Sequence, residues 1–443
     1  MNNRHPANNL KIIGPCRYQL EMNVSCLDQL IPQEHRARAV WDFVDKMDTS
    51  PCFLDINSFY GEAGRPASSP KVLFALWIYS ILDGNTSARK LEELCKNHNV
   101  YKWIAGGIPI NRTMLAEFRS TNSIKFDDLL TNCLAVMVQA GLIKDEDFSQ
   151  DGTRVKANAG FGSFRRMETL ENLNEEITNY LKELHAKDAA SAYERRQKEA
   201  EIRIEEERRN RVGEALKNLE QAIDLKKKQG EKIGQPPKEE ELKDVRASTT
   251  DPEVRKMKMG DGGFRLAYNV QFATGLNSRV IYGVDVVNTL DPGTAPRMMG
   301  RVHSRLRVLG LQGAKNWFGD AAYSGKDDID VVAYFFPDCR YYAPPKTKKG
   351  IDPKKPQKGD SEAVSKWRKL IGTEDVENSY KQRSSTAEYS NAAVKNKGMT
   401  KFSMRGLVKV KGEAITYAIA QNVARFFDLI NGEGQGEVEI TVV

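Results

Sequence analysis

The sequence predicts a layered α/β protein whose sheet is split by a charged helical insertion and preceded by an all-helical region. Three observations predict it. Short helical segments bounded by Ser, Thr, Pro and Gly fill the chain up to about residue 143. Residues 168–243 then carry 35 charged side chains among 76, with no proline before Pro236. After Gly234-Gln235-Pro236-Pro237 the hydrophobic period turns strand-like and alternates with helices. The implied units are a helical region 1–143, an interrupted α/β unit 144–165 plus 245–430, a helical hairpin 166–244 and a tail 431–443. A chain of 443 residues is expected to hold about two to four such units.

Residues 1–60 read as irregular, with one short helix through Arg36–Met47. Gly64-Arg65-Pro66 opens the helical region. SSPKVLFALWIYSILDG has a Ser cap, Pro in the first turn and an apolar stripe that stops at Gly84. TSARKLEELCKNH and NVYKWIAGG follow, then Asn111–Ser120 and Phe126–Ala140. The last of these places Leu129, Leu130, Cys133, Leu134 and Met137 on one face. Short helices joined by tight turns predict a small bundle.

DFSQDGTRV reads as a strand ending near Asp151. In the charged segment, Leu170, Leu173, Ile177, Tyr180 and Leu184 recur at alternating three and four, as do Val212, Leu216, Leu219 and Ile223. Those are heptad seams, and the break at Lys187–Ser191 makes them two antiparallel helices. GGFRLAYNVQFAT and SRVIYGVDVVN, joined by Gly275–Asn277, predict a β-hairpin. Helix Thr294–Leu309, strand AKNWFGDAA, helix KDDIDVVAYFF, strand CRYYAPP and helices Ser385–Lys397 and Lys409–Phe427 complete the order.

Composition excludes several classes. Forty per cent hydrophobic and 29% charged residues describe a globular chain, and no apolar run reaches the ~18 residues of a membrane span. The first twenty residues have no apolar core or cleavage site, so secretion is not expected. Six cysteines without a CxxC pair and five scattered histidines point to reduced, packed thiols rather than zinc. Net charge is +7, but Asp338–Lys411 alone holds 18 Lys and Arg against eight acids. A basic segment on a near-neutral body predicts a polyanion partner. TKKGIDPKKPQKGD within it also reads as a solvated lysine-rich loop.

Asn111–Arg119 is a candidate DNA-reading helix, with Arg112 and Arg119 exposed beside an apolar face; the plainer reading is an ordinary bundle helix. Three acids stand out by context. Asp151 interrupts a strand as Asp-Gly, Asp320 ends the strand NWFGDAAYSG, and Glu388 sits on a helix among Lys381, Arg383, Lys395 and Lys397. Such carboxylates can converge at one sheet edge, and oxygen ligands of that kind suit Mg²⁺. Each also has a plainer role, as a turn residue, a helix cap or a solvated face. Glu374 and Glu377 are the alternatives to Glu388 should the helix register shift.

From Asp42 to Phe427 the sequence resembles the DDE transposases of bacterial insertion sequences, in the branch whose catalytic domain carries a helical insertion. GRPASSPKVLFALWIYSILDGNTSARKLEELCKNHNVYKWIAGG is similar to that branch's N-terminal helical domain. FSQDGTRVKANAG resembles its first Asp block, STTDPEVRKMKMGDGGFRLAYNVQFAT the return to the sheet, and WFGDAAYSG the second Asp block. RSSTAEYSNAAVKNKGMTKFSMRGLVKVKGEAITYAIAQNVARF resembles the block with the catalytic Glu.

The resemblance implies a ribonuclease-H-like catalytic domain with Asp151, Asp320 and Glu388 as its catalytic, metal-binding triad. It also implies a helical DNA-binding domain in front. Relatives share Tyr, two residues, Arg, three residues, Glu, six residues, Lys; Tyr380, Arg383, Glu388 and Lys395 fit, with four residues between Arg383 and Glu388. Tyr380, Arg383 and Lys395 are then expected to grip phosphates, with Arg112 and Arg119 as weaker DNA contacts. Trp317 is a candidate for stacking on an extruded base, though core packing is its plainer reading.

The implied activity is strand cleavage and transfer at terminal inverted repeats, using two Mg²⁺ or Mn²⁺ ions. Implied partners are double-stranded DNA and a second copy of the chain, in the bacterial cytoplasm. The rival readings are a catalytically inactive DNA-binding protein and a domesticated nuclease of the same fold.

Overall fold

An apolar, proline-led segment forms the centre of the helical part. The computed structural model describes residues 26–58, 66–346, 352–371 and 373–432. The helices of this part are α1 (Arg36–Lys46), α2 (Pro70–Leu82), α3 (Ala88–Asn97), α4 (Asn99–Ala105), α5 (Arg112–Thr121) and α6 (Phe126–Gln139). Eleven of the thirteen residues of α2 are buried, as expected of a helix covered on all sides. Gly106 ends α4 in the left-handed conformation, and the Asn111 side chain starts α5 by accepting from Met114 N at 2.9 Å. The Gly64-Arg65 turn, most of the expected tail and part of the lysine-rich loop lie outside the described residues.

The interrupted unit begins with β1 (Asp147–Lys156) and the short β2 (Phe164–Arg166). The insertion is α7 (Met167–Ala186), the 42-residue α8 (Ala192–Ile233) and the short α9 (Glu239–Lys243). At ~1.5 Å per residue α8 is ~60 Å long. Its seam with α7 buries Leu170, Ile177 and Leu181 against Val212, Ala215 and Leu219 in a small core of its own. Tyr180, expected in that seam, is exposed and donates to Glu201. The β3 strand (Arg246–Ser248) pairs antiparallel with β2, so the arm leaves and returns through one stem.

The sheet resumes with β4 (Arg255–Lys258), β5 (Phe264–Gly275) and β6 (Ile281–Val287). Then come α10 (Ala295–Val308), β7 (Asn316–Phe318), α11 (Lys326–Phe335), β8 (Arg340–Tyr342), α12 (Glu362–Ile371), α13 (Glu374–Asn396) and α14 (Leu407–Ile430). The path is β4-β5-β1-β7-β8, with β6 also on β5. Pairing is antiparallel around β5 and parallel from β1 through β7 to β8. Helix α10 packs on β6, and α13 packs on β1 and β5. Helix α14 lies against β6, α2 and α6, so the sheet and the N-terminal helices share one hydrophobic core.

The expected hairpin, the arm and the helix–strand alternation are all present. Two boundaries differ most: α13 starts at Glu374 rather than Ser385, and β1 runs on for five residues past Asp151, because Gly152 through Lys156 pair with Gln271 through Ala267 of β5. Among the described residues, no helix is long and apolar enough to cross a membrane.

Candidate active site

Register places the first two acids. In the parallel pair β1/β7, Ser149 lies opposite Phe318, the last paired residue of β7. Two residues further along stand Asp151 and Asp320; a ladder continued to them would put both on one sheet face, and the negative charge of Asp320 is felt at Asp151. The extended path continues past β7, because Gly319 N donates to Tyr342 O at 2.8 Å. Beyond that point the β7 side of β1 carries no strand among the described residues until Lys156, where Lys401 bridges to it, and the two carboxylates lie at the resulting notch.

Asp151 is three-quarters buried and held from α13. Asn391 Nδ2 donates to its Oδ2 at 2.7 Å, and Arg383 reaches its Oδ1 at 3.4 Å. Burial pushes the Asp151 carboxyl up to about 6; the Arg383 charge opposes this, while the negative charges of Asp320 and Asp291 add to it. Asp320 starts the short 3₁₀ turn Ala321–Tyr323, with Oδ1 accepting from Ala322 N at 2.7 Å. A capping role and a site role therefore coincide in this residue.

Asp151-Gly152 is not a turn. A Cβ at Gly152 would overlap the Asp291 carboxylate and the Gln271 amide, so mid-strand glycine here admits a close approach. Asp291, in the loop before α10, accepts from Asn269 Nδ2 at 2.9 Å and Gln271 Nε2 at 2.8 Å. Gln271 also accepts from Gln150 at 3.0 Å and from the Tyr323 hydroxyl at 2.5 Å. This network lies on the opposite face of the sheet, with Gln150, Asn269 and Gln271 almost wholly buried.

Tyr380 and Arg383 join the notch despite the extra residue in their spacing. The Tyr380 hydroxyl donates to Gly319 O at 3.2 Å, and Arg383 donates to that hydroxyl at 3.2 Å. The buried Nε of Arg383 and Oδ1 of Asn391 have no hydrogen-bond partner among the described residues.

Glu388 is less well gathered. It is exposed, while its helix neighbours Ala387 and Ser390 face the sheet. It stands three residues before Asn391, on an adjoining strip of the helix, at an axial height between the two residues that hold Asp151. Lys395 is also exposed, two turns further on. The side chains of Glu374 and Glu377 lie outside the described residues.

One site expectation is corrected, and one plainer reading holds. Arg119 does not face solvent: it is 5% exposed, stacks over Trp77 at 4.1 Å, bonds to Ser403 and pairs with buried Glu413 at 3.5 Å. Residues from α14 and the loop before it enclose this side chain. Trp317 is fully buried and donates to Gln150 Oε1 at 3.2 Å, which gives it a core role and no access to a base. Arg112 is exposed at the start of α5, as expected.

Asp291, Asn391 and the Asn269–Gln271 pair were missed from the sequence. The legible signal was two amides alternating within the apolar run AYNVQFAT, a costly placement unless the amides are bonded.

The donor set fits a hard divalent cation in part. Asp151 and Asp320 offer only carboxylate oxygens, and a Mg²⁺ ion commonly takes one or two protein carboxylates together with substrate phosphate and water. Among the described residues, no group of three or more His, Cys, Asp or Glu is arranged to hold a metal.

Residues 25–121 match the family model of a transposase domain (DUF772), and residues 339–427 match that of a transposase DDE domain. Both matches support a DDE transposase of an insertion sequence. The second match spans Arg383, Glu388 and Lys395; neither match reaches Asp151 or Asp320. No curated protein and no solved structure matches the chain.

Proposed function

We propose that this transposase binds the terminal inverted repeats of its element and cuts and rejoins DNA there. The reading rests on one observation above all: β1 and β7 pair in parallel up to Ser149 and Phe318, two residues before Asp151 and Asp320, which supports the two acids meeting at that sheet edge. The strand order supports a ribonuclease-H-like catalytic unit, with β6, β5 and β1 antiparallel and β7 and β8 parallel to β1.

Asp151 and Asp320 would hold divalent cations, with Glu388 swinging in from the flank of α13 once DNA fills the notch. Bound there, the cations would lower the pKa of an attacking water or hydroxyl and stabilise the leaving oxygen. Asn391 fixes the orientation of Asp151. Arg383 balances its charge and would turn to a phosphate oxygen as DNA enters the notch, while Tyr380 steadies the guanidinium. Lys395 adds a point charge at the rim, and Arg112 is a DNA contact on the helical region. Two ends must be held together, so at least a dimer is expected on DNA.

The exposure of Glu388 favours a second reading, a DNA-binding protein that does not cut. A nicking assay on a duplex bearing the element's ends, with Mg²⁺ or Mn²⁺, separates the two. The wild type nicks it, and Asp320→Ala binds the same duplex without cutting. Binding without metal-dependent nicking by the wild type supports the second reading, and unchanged nicking by Asp320→Ala overturns the site.

A further inference from the structure

A cleft of about 920 Å³ lies where the base of the arm meets the sheet unit. Four guanidinium side chains line it, and they come from three separate parts of the chain. Arg165 is on β2, Arg208 and Arg211 are on α8, and Arg405 is on the loop before α14. Thr249 and Thr250, just past β3, add hydroxyls beside them.

We propose that this cleft grips the sugar-phosphate backbone of duplex DNA a little inside the reacting end. The proposal rests on the transposase reading above and adds a second contact region to it.

Charge is the first argument. Four arginines outnumber the two acids of the lining, Glu168 and Glu176, and arginine forks match phosphate oxygens. The cations are also available. Arg165 has no ion-pair partner among the described residues. Arg208 and Arg211 pair only with Glu205 at 3.3 Å and Glu207 at 2.7 Å, on their own helix. Such exposed intrahelical pairs are weak and exchange readily for a phosphate.

Position is the second argument. Arg405 donates to Asn158 O at 3.1 Å, and Asn158 donates to Ser403 O at 2.8 Å, so the cleft is tied to the chain just beyond β1. Asp151 lies five residues before the end of that strand and Asn158 two residues past it, so the two stand at most roughly 20 Å apart at ~3.3 Å per residue. Duplex DNA rises ~3.4 Å per base pair. A duplex laid along β1 would then put the gripped phosphates within about six base pairs of the one at the acids. The β2/β3 stem fixes the arm at this spacing.

The test uses the full chain and a fluorescein-labelled duplex of about 30 base pairs and arbitrary sequence, because phosphate contacts do not read bases. Affinity is measured by anisotropy at several salt concentrations. Each lost phosphate contact lowers the slope of log K against log salt by ~0.9. The doubly substituted Arg165→Ala/Arg405→Ala chain is expected to lose ~1–2 of that slope and to bind several-fold more weakly. Glu168→Gln/Glu176→Gln removes only negative charge and is expected to bind more tightly, which keeps the test informative if the arginine variant fails to fold. Unchanged slopes in a folded arginine variant, or unchanged affinity in the glutamine variant, overturn the cleft alone. Failure of the wild type to bind any duplex overturns the cleft and the transposase reading together.

Discussion

Replacing Asp151 by asparagine tests the electrostatics of the notch without touching its shape. In the folded chain the carboxyl is pushed up to about 6, against an ordinary value of 3.8, chiefly by burial. At ~1.36 kcal/mol per unit, the ionised form costs the fold at most about 3 kcal/mol. The sign follows from the raised value: the folded chain holds the proton more tightly than the unfolded one. Stability is therefore fullest below about pH 4 and is lost as pH rises through about 6. In Asp151→Asn the new amide oxygen would still accept from Asn391, and the lost attraction of Arg383 is already contained in the net value of about 6, so the gain at pH 8 is at most about 3 kcal/mol. Melts of both chains in EDTA between pH 4 and 8 give the answer. The variant should melt several degrees higher at pH 8, and the gap should close toward pH 4. A gap independent of pH, or a wild type more stable at pH 8, would refute the reasoning.

Gly152→Ala should lower stability by about 2–4 kcal/mol, because its Cβ must displace the Asp291 carboxylate or the Gln271 amide; a melt and soluble yield check this. A variant as stable as the wild type would mean that the loop carrying Asp291 yields freely. Arg119→Ala should cost about 2–4 kcal/mol by leaving Glu413 buried without its cation, yet leave the salt dependence of DNA binding unchanged. A lower salt slope would restore Arg119 as a DNA contact.

Much of the architecture is readable from local pattern. The arm shows itself through charge density and heptad spacing, and its long helix α8 stops at the Gly-Gln-Pro-Pro turn. The β5/β6 hairpin is legible because both strands are apolar and a short turn separates them. β4 is hard to see because the four residues of RKMK carry little periodic signal; α12 does show Val364, Trp367 and Ile371 at helical spacing, but it follows directly on a lysine- and proline-rich stretch that reads as loop.

The site was half legible. Asp320 stands where a short strand ends, which a Gly-Asp step announces. Asp151 looked like a strand end because Asp-Gly is also turn chemistry, and only its pairing with β5 shows that the strand continues. The burial of Arg119 depends on α14, almost 300 residues away, and no local pattern encodes that contact. Which flank of α13 carries Glu388 depends likewise on how that helix is rotated against β1. The polar layer behind the notch was present in the sequence as Asn269 and Gln271, but its purpose became visible only with Asp291 and Gly152 beside it.

The central claim is that Asp151 and Asp320 jointly hold a divalent cation when DNA is bound. Crystals of the full chain with a duplex carrying the element's end, grown with Mn²⁺, would test it through anomalous scattering. The account predicts a peak within ~2–2.5 Å of oxygens from both aspartates, with Glu388 turned toward it. A peak on other acids, or a DNA-filled notch with Arg383 as its sole cation, would contradict it.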